Sequence, residues 1–271
     1  MKVAVIGVGY WGKKHVDEYI QLGHDVTICD NNEKNILECK EKFGSINIKN
    51  LEEILNDNQI KSVSICTPNE THFKIAKQCL ESKKHIFLEK PITTNLKDAD
   101  ELSTISENNS LILQVGHLYR FNNSILEAKK IIDEDSFGTV HSVYFSWTNF
   151  EPIFQNRGII LDLGIHPVDI VDYIFGGNFQ NMKCRGWGIR QDNPEFAILN
   201  YQLLTPNKQT IFVNIELSWI NPIRKREMII LSNDNTLKVQ CVDQNITLIN
   251  NNSKNKEEIK NKPNNTIRDE L

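Results

Sequence analysis

Short apolar runs at 3–6, 26–30, 63–66, 85–88 and 111–115 alternate with stretches at 11–22, 33–42, 51–56, 71–83 and 95–108, where apolar residues recur at helical spacing. Near-continuous apolar runs predict strands buried on both faces, as in a parallel sheet. Their alternation with helices predicts a doubly wound α/β arrangement. Beyond residue 120 the pattern changes. Helices are predicted near 122–134 and 163–175, among longer alternating strands at 140–148, 181–190, 195–204, 209–218, 224–231 and 236–241. Turn signals such as Thr205-Pro206-Asn207 and Asn233-Asp234-Asn235 separate these strands. This predicts a C-terminal α+β domain with a mostly antiparallel sheet. The expected limits are 1–118 for the first domain, 119–250 for the second and 251–271 for a mobile polar tail rich in Asn and Lys.

Composition narrows the classes. A chain of 271 residues holds one large or two modest domains. Hydrophobic residues make up 39%, charged residues 24%, and the net charge is −4. No basic cluster points to nucleic acid as a partner. No run approaches the ~20 apolar residues of a membrane span. The chain opens directly on a strand pattern, without the organisation of a signal peptide. The cysteines at 29, 39, 66, 79, 184 and 241 form no C-x-x-C pair and no zinc spacing, which predicts reduced thiols in the cytoplasm. The abundant asparagine reads as a compositional bias.

Residues 3–12, VAVIGVGYWG, place Gly7-x-Gly9-x-x-Gly12 between a predicted strand and a predicted helix. In that context the three glycines form a dinucleotide-binding fingerprint. Gly7 permits the turn, Gly9 lets a pyrophosphate approach the backbone, and Gly12 lets helix and strand pack. The free N–H groups and positive dipole end of the helix suit the phosphates, with Tyr10 and Trp11 beside them. The next strand ends at Asp30, followed by Asn31. Asp30 can accept from both ribose hydroxyls and would repel a 2′-phosphate, favouring NAD over NADP; it can also cap the following helix. Thr67-Pro68 stands at the carboxyl edge of the sheet, as a cofactor contact or as a helix cap with a preset turn.

The run 85–94, HIFLEKPITT, ends a strand in Glu89-Lys90-Pro91. Proline restrains Lys90 to an extended conformation, and the Lys90–Pro91 bond can be cis. Lys90 is either solvent-exposed trim or an ammonium aimed at a substrate oxygen beside a nicotinamide. In 161–176, LDLGIHPVDIVDYIFG, Asp162, His166 and Asp169 fall on one helical face. Pro167 fits only near the helix start, so His166 is expected in the first turn or just before it. Asp162 is an N-cap or a functional acid; His166 is a core histidine or a base. The donors are too few for a catalytic metal site, so no metal is expected.

Taken in order, GVGYWG, CTPNETH, FLEKPIT, VGHLYRFN, DLGIHPVDIVDYIFG and SWINPIRKREMIILS make the chain resemble the Gfo/Idh/MocA oxidoreductases from residue 1 to about 243. The resemblance implies a Rossmann NAD-binding domain and a catalytic set of Lys90, Asp162 and His166. It implies alcohol oxidation by hydride transfer to NAD, with Glu89 and Lys90 also beside the cofactor. His117, Tyr119, Arg157 and Asp169 are the expected substrate contacts, and Arg120 is expected to be structural. GYWGKK and SWINPIRKRE resemble the nucleotide-sugar branch, implying oxidation of the 3-hydroxyl of UDP-N-acetylglucosamine or its uronate; free sugars and inositols are the alternative. The open sheet face implies a homodimer or homotetramer. Where the family usually has a glycine turn, this chain has Asn233-Asp234-Asn235, so an asparagine is expected in the left-handed region. The resemblance also implies a further helix past residue 271.

Overall fold

The structure, a computed structural model, describes residues 1–153 and 158–271. Among the described residues the strands form two sheets. In the first, β1 (Lys2–Ile6), β2 (Asp25–Cys29), β3 (Asn47–Ile48), β4 (Ile60–Ile65), β5 (His85–Glu89) and β6 (Leu113–Gly116) lie in the order β3-β2-β1-β4-β5-β6, every pair parallel. The connecting helices are α1 (Tyr10–Gln21), α2 (Glu33–Phe43), α3 (Leu51–Asn56), α4 (His72–Glu81) and α5 (Leu96–Asn108). Both faces of β1 are buried: Ala4 and Ile6 pack with Val63, Ile86 and Leu102, while Val3 and Val5 pack with Val16, Val26 and Cys39. That double burial is why the run reads as continuously apolar. The strand order reverses at β1 and β4, so ligands are expected beyond the carboxyl ends of those two strands.

The asparagines have local work. Asn32, Asn50, Asn95 and Asn122 are the N-caps of α2, α3, α5 and α6 (Asn123–Asp133), each accepting a backbone N–H of the first turn. Asn50 and Glu53 form a full capping box.

The second sheet runs β14-β13-β12-β11-β7-β10-β9-β8, comprising β7 (Val140–Phe150), β8 (Asn178–Trp187), β9 (Phe196–Leu204), β10 (Thr210–Ser218), β11 (Ile220–Ser232), β12 (Asn235–Gln240), β13 (Asn245–Asn250) and β14 (Lys256–Ile259). Its pairs are antiparallel except β7 with β10. One face packs Phe145, Trp147, Leu217 and Met228 against Ile125 and Ala128 of α6 and Ile170, Val171 and Ile174 of α7 (Ile165–Phe175). The other face leaves Tyr144, Ile198 and Phe212 exposed.

Three expectations are corrected. The stretch 251–271 is not a free tail. β14 pairs with β13, and Ile267–Leu271 clusters with Met1–His117 as one compact unit, apart from Leu118–Thr266. Arg268 Nε donates to Glu18 at 2.8 Å, Gln114 donates to the Glu270 carbonyl at 3.0 Å, and Leu271 packs beside the cluster of Val16 and Tyr19. The Asn233–Asn235 turn uses no left-handed residue, because Ser232 Oγ accepts from the Asp234 and Asn235 amides instead. The helix before α7 starts early: Ile160–Gly164 winds as a π-helical turn. Pro167 has no N–H for the Leu163 carbonyl and its ring would press on it in a regular helix; the wide turn lies where that conflict falls. Among the described residues no helix is long and apolar enough to cross a membrane.

Lys84 is 2% exposed, and its Nζ donates to the carbonyls of Asp57 at 2.6 Å and Ile60 at 2.8 Å. Burial lowers its pKa. Lys84→Met keeps the apolar stem but removes both bonds, leaving the Asp57 carbonyl only the Ile60 amide, so urea denaturation is expected to show a loss of about 1–3 kcal/mol.

Candidate active site

The glycine loop leads from β1 into α1. Gly7 has φ +87°, and a Cβ there would stand 2.8 Å from the Cys66 carbonyl carbon and the Thr67 nitrogen. A Cβ on Gly12 would stand 1.9 Å from the Gly7 carbonyl oxygen, so α1 can lie this close to β1 only with glycine. Gly9 is different: a Cβ would meet nothing within 4 Å, which leaves open space at the N-terminus of α1, where no side chain caps the first turn. Backbone N–H groups and the helix dipole could hold a phosphate in that space. Tyr10 and half-buried Trp11 meet edge-on at 5.6 Å, and Lys14 Nζ lies 4.4 and 4.3 Å from their ring centres.

Asp30 does not cap α2; Asn32 does. Its Oδ2 accepts from the Val8 amide at 2.8 Å and from Asn35 at 3.1 Å, and its Oδ1 from the Asn32 amide at 2.7 Å. It ties the glycine loop to the end of β2, and Oδ1 keeps acceptor capacity for a ribose hydroxyl. Asn31 is exposed beside it. After β4, Thr67 Oγ1 accepts from Thr71 at 2.8 Å, and the same Thr71 hydroxyl contacts the Pro68 carbonyl at 2.7 Å.

β5 ends in Glu89, Lys90 is half-buried, and the Lys90–Pro91 bond is cis. Glu89 faces inward rather than outward: its Oε1 lies 3.1 Å from His15 Nε2 on α1, and its Oε2 lies against Gly116, where a Cβ would come within 3.3 Å. His117 follows β6, half-buried, its amide donating to the Val115 carbonyl at 2.8 Å.

In the second unit Asp162 sits on the π turn and His166 in the first turn of α7, buried. A four-residue step is close to one full turn in either winding, so both stay on one side of the segment. The His166 ring meets Tyr119 edge-on at 5.1 Å, and Tyr119 meets Trp147 edge-on at 5.1 Å. Tyr119 is thus given a packing role behind His166, its phenol pushed up to about 12 by burial. Asp169 receives Arg120 through both oxygens, at 2.7–3.1 Å, so the expected substrate contact is taken up by a bidentate ion pair, which raises the Arg120 pKa. Arg157 lies outside the described residues.

Sequence reasoning missed Arg226. It is buried and lies 5.5 Å over the Trp147 ring, and among the described residues it bonds oxygens of Thr148, Lys225 and Asn149 rather than a carboxylate. Burial lowers its pKa. The signal was its even spacing from Met228, Ile230 and Ser232, which puts it in the inward row of β11.

A parallel sheet in this order with this glycine loop defines a dinucleotide-binding unit of Rossmann type, carried in one chain with an α+β unit. The chain belongs to the Gfo/Idh/MocA oxidoreductases: residues 1–117 match "Oxidoreductase family, NAD-binding Rossmann fold" and residues 125–242 match "GFO/IDH/MocA C-terminal domain". It is 28% identical over 194 residues to myo-inositol 2-dehydrogenase of Thermotoga maritima, covering 69% of this chain and 58% of that protein. It is 25% identical over 198 residues to UDP-N-acetylglucosamine 3-dehydrogenase of Acidithiobacillus ferrooxidans, covering 73% of this chain and 61% of that one. The matched stretches therefore span less than two thirds of these relatives. A solved structure of the Acidithiobacillus enzyme superposes with a TM-score of 0.85 at 22% identity, covering 99% of this chain and 85% of that chain. An Agrobacterium radiobacter oxidoreductase in complex with NAD+, L-tartaric acid and magnesium gives 0.84 at 19% identity, covering 100% and 84%.

Gly9→Ala separates fold from binding. Its Cβ has room in the protein but would stand in the open space at the start of α1. The expected outcome is an unchanged melting temperature with a dissociation constant for NAD+, read by calorimetry, raised at least about tenfold, or ~1.4 kcal/mol.

Proposed function

We propose that the chain is an NAD-dependent dehydrogenase of a secondary sugar hydroxyl, C3 of a UDP-N-acetylhexosamine or its uronate. The observation that carries this reading is Lys90, set between two anchored neighbours at the carboxyl edge of a nucleotide-binding sheet, in a chain that also has Asp162 and His166 on one side of a helical segment. The relative that bears the name UDP-N-acetylglucosamine 3-dehydrogenase supports the substrate class. The charge of Asp30, beside the ribose position, supports NAD over NADP.

NAD+, once bound, would supply the acceptor for the hydride of the carbinol carbon. A ring nitrogen of His166 takes the hydroxyl proton as the carbon–oxygen bond gains double-bond character, and returns it in the reverse direction. Asp162 orients that imidazole or bonds the substrate. The Lys90 ammonium donates to the reacting oxygen and stabilises the negative charge that grows there.

A second reading, oxidation of a free sugar or inositol, is favoured by the likeness to the Thermotoga myo-inositol enzyme. A panel of UDP-sugars and free polyols with NAD+, followed by the absorbance of reduced nicotinamide, decides between them. Signal with UDP-N-acetylglucosamine or its uronate alone supports the first; signal with polyols alone supports the second. NAD+ binding with silence across the panel would favour a non-catalytic regulator of this fold. With the productive substrate, Lys90→Met and His166→Ala are each expected to cut kcat by at least about 10²-fold while NAD+ binding is retained. Wild-type rates in both would sink the assignment.

The protein works as a homodimer or homotetramer through the open sheet face. Support comes from exposed Tyr144 (46%) and Phe212 (52%), large apolar groups on neighbouring rows of one face. Phe212→Asp is expected to yield a smaller species by light scattering; an unchanged mass would refute this use of the face. The six cysteines are free thiols, which supports work in the cytoplasm.

A further inference from the structure

Two buried histidines flank the Lys90 corner, and the proposed mechanism uses neither. His15, 1% exposed on α1, places Nε2 at 3.1 Å from Glu89 Oε1 and Nδ1 at 3.4 Å from Cys66 Sγ. His72, fully buried at the start of α4, places Nδ1 at 2.8 Å from the Pro91 carbonyl and Nε2 at 2.9 Å from the Thr67 carbonyl. The residues on either side of Lys90 are therefore each bonded to an imidazole. The second nitrogen of each imidazole reaches the same loop after β4, at Cys66 and at Thr67.

We propose that His15 and His72 are positioning residues: a pair of staples that hold Glu89-Lys90-Pro91 and Cys66-Thr67 as one rigid piece, so that the lysine and the cofactor-side loop keep a fixed relation. This rests on the reading of Lys90 as the group that stabilises the reacting oxygen. An ammonium on a four-carbon stem is a poor positioning device by itself, since its several free rotors must all be ordered to aim it. Fixing its backbone on both sides leaves only the stem to be ordered by substrate.

The proton arrangement follows from the partners. Burial, with the Glu89 charge nearby, raises the Cys66 thiol well above its usual range, so the thiol keeps its proton. Its S–H donates to Nδ1 of His15, which leaves the Nε2–H for the Glu89 carboxylate. Glu89 is thereby an acceptor held from below, and its charge stays on the protein side of the corner. His72 faces two carbonyl oxygens, both acceptors. Its ring donates to the one opposite its protonated nitrogen, and to both when doubly protonated. In neither histidine does the imidazole need to touch substrate.

The test is hydrogen exchange on the unliganded protein, which needs no substrate. His15→Leu and His72→Phe keep apolar bulk and remove the bonds. Each is expected to speed exchange of the Cys66, Thr67, Lys90 and Ile92 amides about tenfold, on both sides of the staple, with α2 and β11 unchanged. His15→Gln and His72→Gln, which each keep a donor, are expected to restore protection and to report on the staple should the apolar variants fail to fold. Exchange unchanged at both segments, or raised equally throughout the unit, would overturn the proposal. Turnover gives the second arm. Each apolar variant is expected to lower kcat about tenfold or more in the wild-type background and to cost nothing further in Lys90→Met, because its effect runs through that lysine. Equal losses in both backgrounds would mean a merely structural role. Lys90→Met at wild-type turnover would instead sink the catalytic reading, and the staple's part in turnover with it, whatever the exchange data show about rigidity.

Discussion

Helix α1 lies so close to the end of β1 that no side-chain carbon fits between Gly12 and the carbonyl of Gly7. Much of the first unit depends on that approach. It turns the start of α1 toward the space beyond the carboxyl ends of β1 and β4, where free N–H groups can meet an anion. It brings His15, one turn further along, under the ends of β4 and β5, within bonding distance of Cys66 and Glu89. A bulkier residue at Gly12 would lift the helix and weaken both at once. The glycine loop and the Glu89-Lys90-Pro91 corner thus answer to one steric constraint, although His15 and Glu89 stand 74 residues apart in sequence.

The second unit solves a different problem: holding a histidine side chain at the edge of an apolar core. Trp147 and Phe145 make the core side of the central strand, Tyr119 stands on Trp147, and the His166 ring stands on Tyr119. Arg226 lies over Trp147 and is bonded to Thr148 and Asn149 of the same strand. The ion pair of Arg120 with Asp169 ties the turn that carries Tyr119 to the helix that carries His166. The imidazole is thereby oriented by aromatic edges and by an ion pair one turn along α7. The π turn ahead of α7 lets Pro167 sit inside a helical run, so His166 has helix on both sides rather than only after it.

Much of this was legible in the chain. Strands buried on both faces and amphipathic helices have distinct periods, so the doubly wound sheet followed from pattern, and the glycine spacing followed from the geometry of a strand–turn–helix. Lys90, Asp162 and His166 were visible because their neighbours restrict them: proline after the lysine, helical spacing between the acid and the imidazole. The strands β13 and β14 were not visible. NITLIN and KEEI are short, partly polar segments, β14 at the sheet edge and β13 beside it, whose strand character comes from pairing with β12 and with each other. Likewise the terminal Ile267–Leu271 reads as polar trim until Leu271 and Arg268 meet α1.

The sequence by itself determined the two fold classes, the nucleotide loop and the residues able to do proton and charge chemistry, because each of these is set by local sterics or by a short repeat. Only the tertiary structure decided how those residues are held. Glu89 reads as a cofactor contact in the chain and is bonded to His15 in the fold; Asp169 reads as a substrate contact and is bonded to Arg120; His72 reads as part of a helix start and bridges two loops. The reason is physical. A hydrogen bond needs its partner within about 3 Å, and which residues, distant along the chain, come that close is settled by packing, which no local pattern encodes.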